Sequence, residues 1–217
     1  MWSVKTLFLA SANPGKLREF RDAAKARGIS VEPVPGIQNL PDCIEDSTTF
    51  EENARKKALH YSAFADGLVF ADDSGICVDA LGGTPGVLSA RFAGPDATDE
   101  ENNRRLLAEL QRVETEGAAS NRRQDSALAE HRSNRAAHYV CVIALAERGR
   151  VLTVVEGRTD GLIIDEPRGS GGFGYDPYFY YPPLGRTFAE LSPKEKFAVS
   201  HRGEAFRKLL DYLVKSG

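Results

Sequence analysis

Short apolar runs alternate with helix-spaced patterns over the first half of the chain, and this alternation limits what the sequence can fold into. Thr6–Ala10 and Leu68–Ala71 have the length and composition of buried strands. Between them, apolar residues recur at helical spacing from Lys16 to about Arg27, where Gly28 ends the pattern. Strands and helices that alternate in this way predict an α/β fold.

The second half of the chain is richer in strands. Strands are predicted at His138–Ala146, Arg150–Gly157 and Asp160–Ile164, and Ile76–Leu81 is predicted to be extended. Further helices are predicted from a cap at Ser47 or Thr48 to about Phe64, from a cap at Thr98 or Asp99 to about Arg112, and from Ser200 or His201 to about Val214. The polar residues 114–136 are predicted to be an exposed loop or loose helix. Clustered strands after alternating ones predict a mixed sheet.

Size and charge favour one globular domain. The 217 residues suffice for a single α/β domain over 1–217, and a net charge of −3 provides no basic field for nucleic acid. Cys43, Cys77 and Cys141 are odd in number and scattered, which fits a reducing compartment, so the cytoplasm is the predicted location. No run approaches ~20 apolar residues, so no membrane span is predicted.

The first candidate site is the turn between the first strand and the first helix. Backbone N–H groups at a helix start attract phosphate, and Lys16 adds a positive charge. A plain turn with a solvated lysine remains the alternative. The turn consists of Ser11, Ala12, Asn13, Pro14, Gly15 and Lys16.

The second candidate site is the acidic pair Asp72-Asp73, followed by Ser74. Apolar residues continue after the pair at Ile76, which places the acids within a sheet and disfavours a solvated turn. Because side chains alternate along a strand, the two carboxylates are predicted to point in different directions. Such a carboxylate suits Mg²⁺ coordination and water activation.

The third candidate site is the glycine- and aromatic-rich loop Gly169–Tyr181, which contains a literal G-x-G-x-x-G pattern. A dinucleotide-binding loop requires a helix directly after these glycines, and the proline-rich sequel excludes one. The side chains of Phe173, Tyr175 and Asp176 can instead stack on a base and read its edge. A glycine-rich turn over a core aromatic is the alternative.

The fourth candidate site is a basic cluster, Lys196 with His201 and Arg202, at the start of the last predicted helix. Cations oppose the dipole at a helix N-terminus, so this arrangement predicts a bound anion there. A capping Ser200 with two solvated bases is the alternative.

Together these segments resemble the inosine triphosphate pyrophosphatase family, also called Ham1-like. The resemblance rests on five stretches that span nearly the whole chain in order: LFLASANPGKLREF, TFEENARKKA, FADDSGICVDALGGTPGVLSARFAG, GGFGYDPYF and FAELSPKEKFAVSHRGEAFRKL. It implies an elongated α/β domain with a central mixed sheet and a substrate cleft between two lobes. It also implies a Mg²⁺-dependent homodimer that cleaves inosine, deoxyinosine and xanthosine triphosphates to the monophosphate and pyrophosphate.

The resemblance also implies roles for single residues. Asp73 would activate water and bind metal, supported by Asp72. Glu45 would be the second metal ligand, with Asp42 or Asp46 as alternatives because the loop is a residue short. Lys57 would act with Asp73 in catalysis, at the phosphates. The substrate would be held by Ser11–Lys16, Ser74, the base pocket Phe173, Gly174, Tyr175 and Asp176, and the cations Lys196, His201 and Arg202.

Two other functions remain open on the sequence. One is a related pyrophosphatase that acts on modified or pyrimidine triphosphates, which the GGFGYDP and SHR segments disfavour. The other is a non-catalytic nucleotide-binding module. Glu45, Asp72 and Asp73 disfavour it, because a protein that only binds phosphate gains nothing from concentrated negative charge.

Overall fold

The computed structural model describes residues 6–25, 27–121 and 135–216. The strands are β1 (Thr6–Leu9), β2 (Ser30–Pro33), β3 (Val69–Val78), β4 (Ala136–Glu147), β5 (Arg150–Ile163), β6 (Phe179–Tyr181) and β7 (Arg186–Thr187). The helices are α1 (Pro14–Lys25), α2 (Phe50–Ser62), α3 (Asp99–Asn121), α4 (Pro193–Val199) and α5 (His201–Ser216). None of the helices within these ranges is both long and apolar enough to cross a membrane.

The sheet is mixed, which confirms the predicted α/β class. Its strand order is β2-β1-β3-β4-β5-β6-β7. β1 is parallel to β2 and β3, because helices connect these strands, whereas β6 is antiparallel to both of its neighbours. Arg148 and Gly149 join β4 to β5 with φ angles of 48° and 75°, the left-handed geometry of a tight hairpin turn.

The chain groups into two compact units. The first contains residues 1–74, 140–159 and 193–217, and the second contains residues 75–139 and 160–192. Three long strands, β3, β4 and β5, contribute residues to both units.

The first unit has helices on both faces of its strands. Because side chains alternate along a strand, Phe70 packs with α1 and α5 on one face, whereas Val69 packs with α2 on the other. The first face includes Leu7, Leu9, Phe20, Cys141, Ile143, Leu145 and Phe206, and the second includes Ala54, Ala58, Tyr61, Ala71, Val142 and Ala144. Strands covered on both faces explain the continuous apolar runs of β3 and β4.

The second unit contains a small aromatic core. The ring of Phe179 lies 4.7 Å from that of Tyr139 and 4.8 Å from that of Phe188, between ring centroids. Gly161 of β5 admits this packing, since a Cβ there would lie 2.6 Å from the Phe179 ring. The glycine-rich loop was predicted to run to Tyr181, but its last three residues form β6, which begins at Phe179.

Several predicted element boundaries were wrong. Thr49 caps α2 in place of Ser47 or Thr48, and its Oγ1 accepts the Glu52 N–H. The segment Asp79–Leu81 is a 3₁₀ turn and is not extended. β5 is one strand, although two were predicted, because its residues continue to pair beyond Gly157. α4 was not predicted at all, since seven residues are too few for a periodic signal.

The polar segment 114–136 divides into three parts. α3 continues through Asn121, beyond the predicted end at Arg112. β4 begins at Ala136. The remainder of the prediction, over 122–134, lies outside the described residues.

Candidate active site

The acidic pair of β3 is buried, and its side chains lie on opposite faces of the strand. Asp72 is 1% exposed and Asp73 is 8% exposed. Asp72 shares the face of Phe70, which packs against α1 and α5, and Asp73 shares the face of Ala71, which packs against α2. The strand therefore presents one carboxylate to each helical layer of the first unit.

On the α2 side, Lys57 links three acidic residues. Its Nζ donates to the Asp72 backbone oxygen at 2.7 Å, and lies 3.4 Å from Asp73 Oδ1 and 2.8 Å from Glu45 Oε2. Asn53, one helical turn before Lys57, donates from Nδ2 to Asp73 Oδ2 at 3.1 Å. Both oxygens of Asp73 therefore receive hydrogen bonds from one face of α2.

On the α1 and α5 side, Asp72 pairs with cations from both ends of the chain. Lys16 Nζ lies 2.8 Å from Asp72 Oδ2, and Arg202 Nε lies 3.8 Å from the same atom. Ser74 lies on this face too, where its Oγ accepts a hydrogen bond from Arg202 at 3.1 Å. Asp72 Oδ1 is buried and receives no hydrogen bond within the described part of the chain.

Glu19 of α1 completes this charged network and was not predicted from the sequence. Its carboxylate lies 3.1 Å from Lys196 Nζ and accepts a hydrogen bond from Arg202 at 2.7 Å. Glu19 follows Lys16 by three residues, so the two side chains share one face of α1. That spacing was the available signal, but a single Glu on an amphipathic helix does not stand out.

The turn before α1 caps the helix. Asn13 Oδ1 accepts the N–H groups of Gly15 at 2.8 Å and Lys16 at 3.1 Å. Pro14 is the first helical residue, where the missing N–H costs nothing. Two of the N–H groups that the sequence suggested for phosphate are thus already paired within the turn.

The basic cluster lies where α4 meets α5. Lys196, His201 and Arg202 are 4%, 3% and 3% exposed, so they are buried and not solvated. Ser200 caps α5, since its Oγ accepts the Gly203 N–H. Glycine at position 157 of β5 is required here, because a Cβ would collide with the backbone oxygen of His201.

The two aspartates have opposite pKa shifts. Burial raises the pKa of Asp73, and the charge of Glu45 adds to the effect, which Lys57 and Asn53 only partly offset. Burial also opposes ionisation of Asp72, but Lys16, Arg202 and Lys57 outweigh it and hold the pKa of Asp72 well below its usual range. Asp72 is therefore a fixed anion, whereas Asp73 binds protons more readily.

Burial acts on the neighbouring groups too. It opposes the charge of Lys57, but the carboxylates of Asp73, Asp72 and Glu45 outweigh it and raise the pKa of Lys57. Burial, reinforced by Arg202 and Lys196, holds the pKa of His201 well below its ordinary value, so His201 is neutral at pH 7.

The base-pocket loop of the sequence analysis, Phe173–Asp176, belongs to the second unit. Asp176 Oδ2 accepts the Phe173 N–H at 2.9 Å. A Cβ at Gly172 would collide with this carboxylate, so the turn requires glycine. No helix follows the glycines within this described stretch, in keeping with the exclusion of a dinucleotide-binding loop.

Of the three acids considered as second metal ligand, Glu45 belongs to the network around Asp73. Lys57 joins Glu45 to Asp73, whereas Asp46 pairs with the exposed Lys56 at 2.6 Å. No group of three or more His, Cys, Asp or Glu side chains in metal-binding geometry occurs among the described residues. The carboxylate oxygens of Glu45 and Asp73 suit a hard cation such as Mg²⁺.

Fold and charged network define an α/β protein whose buried carboxylates are surrounded by cations. The Ham1 family model matches residues 7–212, and the chain belongs to the Ham1 family. It is 44% identical over 206 residues to a dITP/XTP pyrophosphatase of Geobacillus kaustophilus. The aligned region covers 95% of this chain and 93% of that protein.

Two further comparisons support the family. The chain is 45% identical to the dITP/XTP pyrophosphatase of Streptococcus thermophilus over 94% of its own length but only 58% of that longer protein. A solved HAM1 protein from Coxiella burnetii is 39% identical, with a TM-score of 0.79 over 97% of this chain and 99% of that one.

Proposed function

We propose that this protein hydrolyses non-standard purine nucleoside triphosphates to the monophosphate and pyrophosphate. Inosine, deoxyinosine and xanthosine triphosphates are the proposed substrates, and their removal would cleanse the nucleotide pool. The similarity to dITP/XTP pyrophosphatases supports this substrate class. The observation that carries the proposal is Asp73, a buried carboxylate with a raised pKa that is held by Asn53 and Lys57.

In the proposed mechanism, Asp73 accepts a proton from the water that attacks the alpha phosphorus. A carboxylate with a raised pKa suits this task, because a general base is most effective when its pKa lies near the working pH. The new bond forms between the water oxygen and the alpha phosphorus. The bond that breaks joins that phosphorus to the bridging oxygen, so pyrophosphate leaves with the bond electrons.

Asp73 and Glu45 would hold Mg²⁺, which would neutralise charge that develops on the phosphate oxygens. Lys57 keeps these two carboxylates together before any metal enters, since it contacts both. Lys16 is 18% exposed in its side chain, so it can contact a phosphate while it remains close to Asp72. Ser11–Lys16, Ser74 and Lys196 complete the proposed phosphate contacts.

Base recognition is assigned to Phe173–Asp176, His201 and Arg202. A neutral His201 and the Arg202 guanidinium can donate to the 6-oxo group of hypoxanthine, where adenine carries an amino group. A donor that faces an amino group is left unpaired, and this costs about 1–3 kcal/mol. We also propose that residues 1–217 act as one domain, in a homodimer, in the cytoplasm.

A substrate panel tests the proposed function. Pyrophosphate release is measured with inosine, xanthosine, adenosine, guanosine and pyrimidine triphosphates, with Mg²⁺ and after its removal by a chelator. The proposal expects Mg²⁺-dependent release that is fastest with inosine and xanthosine triphosphates. A preference for pyrimidine triphosphates would favour the related pyrophosphatase class, and binding without release would favour a nucleotide-binding module.

A further inference from the structure

Two residues at the start of α3 hold the peptide groups on either side of Gly174. The Gly174 N–H donates to Asp99 Oδ2 at 2.6 Å, and Asn103 Nδ2 donates to the Gly174 oxygen at 2.9 Å. We propose that Asp99 and Asn103 are positioning residues that determine base specificity by fixing the loop Phe173–Asp176. This inference rests on the function proposed above.

Gly174 is the residue of this loop whose backbone dihedral angles are least restricted. Its φ is +64°, and no atom lies within 4 Å of the position that a Cβ would occupy. Glycine has the widest conformational freedom of any residue, so rotation here would swing the adjacent Phe173 ring. Asp99 restrains the peptide before Gly174, and Asn103 restrains the peptide after it.

The other end of the loop is anchored separately. Tyr175 donates from its hydroxyl to the Ser89 oxygen at 2.8 Å and is buried. Asp176 accepts the Ala189 N–H on its backbone oxygen at 3.2 Å. Asp99 and Asn103 thus hold the peptide groups that join Phe173 to Tyr175, whereas Ser89 and Ala189 hold Tyr175 and Asp176.

Neither residue is needed to begin α3. Thr98 Oγ1 accepts the Glu101 N–H, and Glu101 Oε2 accepts the Thr98 N–H, which is a complete capping box. The carboxylate of Asp99 is thus available for the loop. Asn103 Nδ2 donates to the Asp99 backbone oxygen as well as to Gly174, and two carbonyl acceptors require the amide nitrogen to point this way.

The test compares Asp99→Ala and Asn103→Leu with the matched control Glu100→Ala. Glu100 lies in the same helical turn, but it is exposed and pairs with Arg104 on the surface of α3. Steady-state kinetics are measured with inosine and adenosine triphosphates. The two test variants are expected to raise KM for inosine triphosphate about tenfold, which is ~1.4 kcal/mol, with kcat within about threefold. The inosine-to-adenosine ratio of kcat/KM falls about tenfold, and the control matches the wild type.

A conservative variant separates positioning from folding. Asp99→Asn keeps an acceptor oxygen for the Gly174 N–H and is expected to restore most of the KM and the selectivity. The inference is overturned if both test variants keep the wild-type KM and selectivity, if only kcat falls, or if Asp99→Asn behaves like Asp99→Ala. A wild-type enzyme that does not hydrolyse inosine triphosphate would instead refute the proposed function.

Discussion

Asp72 and Asp73 are neighbours in the chain, but the fold gives their carboxylates opposite roles. Asp72 is surrounded by cations, and its charge is part of the folded network. Asp73 is buried beside the like-charged Glu45, so ionisation there opposes stability. A buried carboxylate whose ionisation destabilises the fold is more readily explained by a catalytic role than by a packing role.

Asp73→Asn tests that assignment. The amide preserves the size of the side chain and can still accept from Asn53, so the fold is expected to persist. Turnover is expected to fall about 10²–10⁴-fold, because the proton acceptor is lost. The melting temperature is expected to stay level or rise, since the variant removes a charge whose pKa is raised by folding. Pyrophosphate release and thermal unfolding measure the two effects, and normal turnover in a folded variant would contradict the role.

The second metal ligand can be identified by three parallel substitutions. Glu45→Gln is expected to raise the Mg²⁺ concentration for half-maximal activity at least about tenfold, because a carboxylate that binds the ion is lost. Asp42→Asn and Asp46→Asn serve as matched controls and are expected to leave it unchanged. A shift in either control, with none in Glu45→Gln, would transfer the assignment to that residue.

At the scale of elements, the start of α2 determines where Asn53 and Lys57 lie. Both side chains point to Asp73 because they are one helical turn apart on the same face. Thr49 begins the helix by accepting the Glu52 N–H at 3.2 Å. The Thr49 cap therefore affects the site in two ways: it fixes where α2 begins, and it stabilises the helix that carries Asn53 and Lys57.

Thr49→Ala is expected to destabilise the protein by about 1 kcal/mol, the usual cost of a lost N-cap hydroxyl. Thr48→Ala is the matched control, since Thr48 is exposed and is not the cap. Denaturant unfolding at pH 7 measures both free energies of unfolding. Equal values for the two variants would show that the Thr49 hydroxyl does not stabilise α2.

On the scale of the whole chain, Glu19 of α1 pairs with two cations from the last part of the sequence. Its ion pair with Lys196 spans 177 residues, and that with Arg202 spans 183. Burial alone would raise the pKa of Glu19, but Arg202 and Lys196 outweigh it and lower the pKa. The two ion pairs of Glu19 therefore stabilise the folded state at neutral pH.

The lowered pKa values of Glu19 and Asp72 predict an acid-sensitive fold. Both groups bind protons more weakly when folded, so their stabilisation is present above the unfolded pKa values of about 4. It is lost as the pH falls through the lower folded values. Glu19→Gln is expected to cost about 3 kcal/mol at pH 7, because Lys196 and Arg202 stay buried, and to weaken the acid dependence.

Unfolding free energies from pH 7 to pH 3 measure this effect. The control is Glu51→Gln, which removes an exposed pair with Arg55 and is expected to cost less than ~0.5 kcal/mol. If Glu19→Gln retained both the stability and the acid slope of the wild type, the buried network would not contribute as proposed.

The order of residues was enough to predict the features that depend on local periodicity. The buried strand β1, the opposite directions of Asp72 and Asp73, and the absence of a helix after the glycine-rich loop all follow from residues close together in the chain. Boundaries were less accurate, because a capping choice between Thr48 and Thr49 depends on backbone geometry that adjacent similar residues do not distinguish.

The pairing of the charged residues follows instead from the way the helices pack against the sheet. Glu19 was not recognised from the sequence, and the capping of α1 by the Asn13 carboxamide was not predicted. The physical reason is that burial and ion pairing depend on which helices cover each face of β3, and those helices come from distant parts of the chain. A sequence pattern can predict that a side chain faces a helix, but packing decides which charge it meets there.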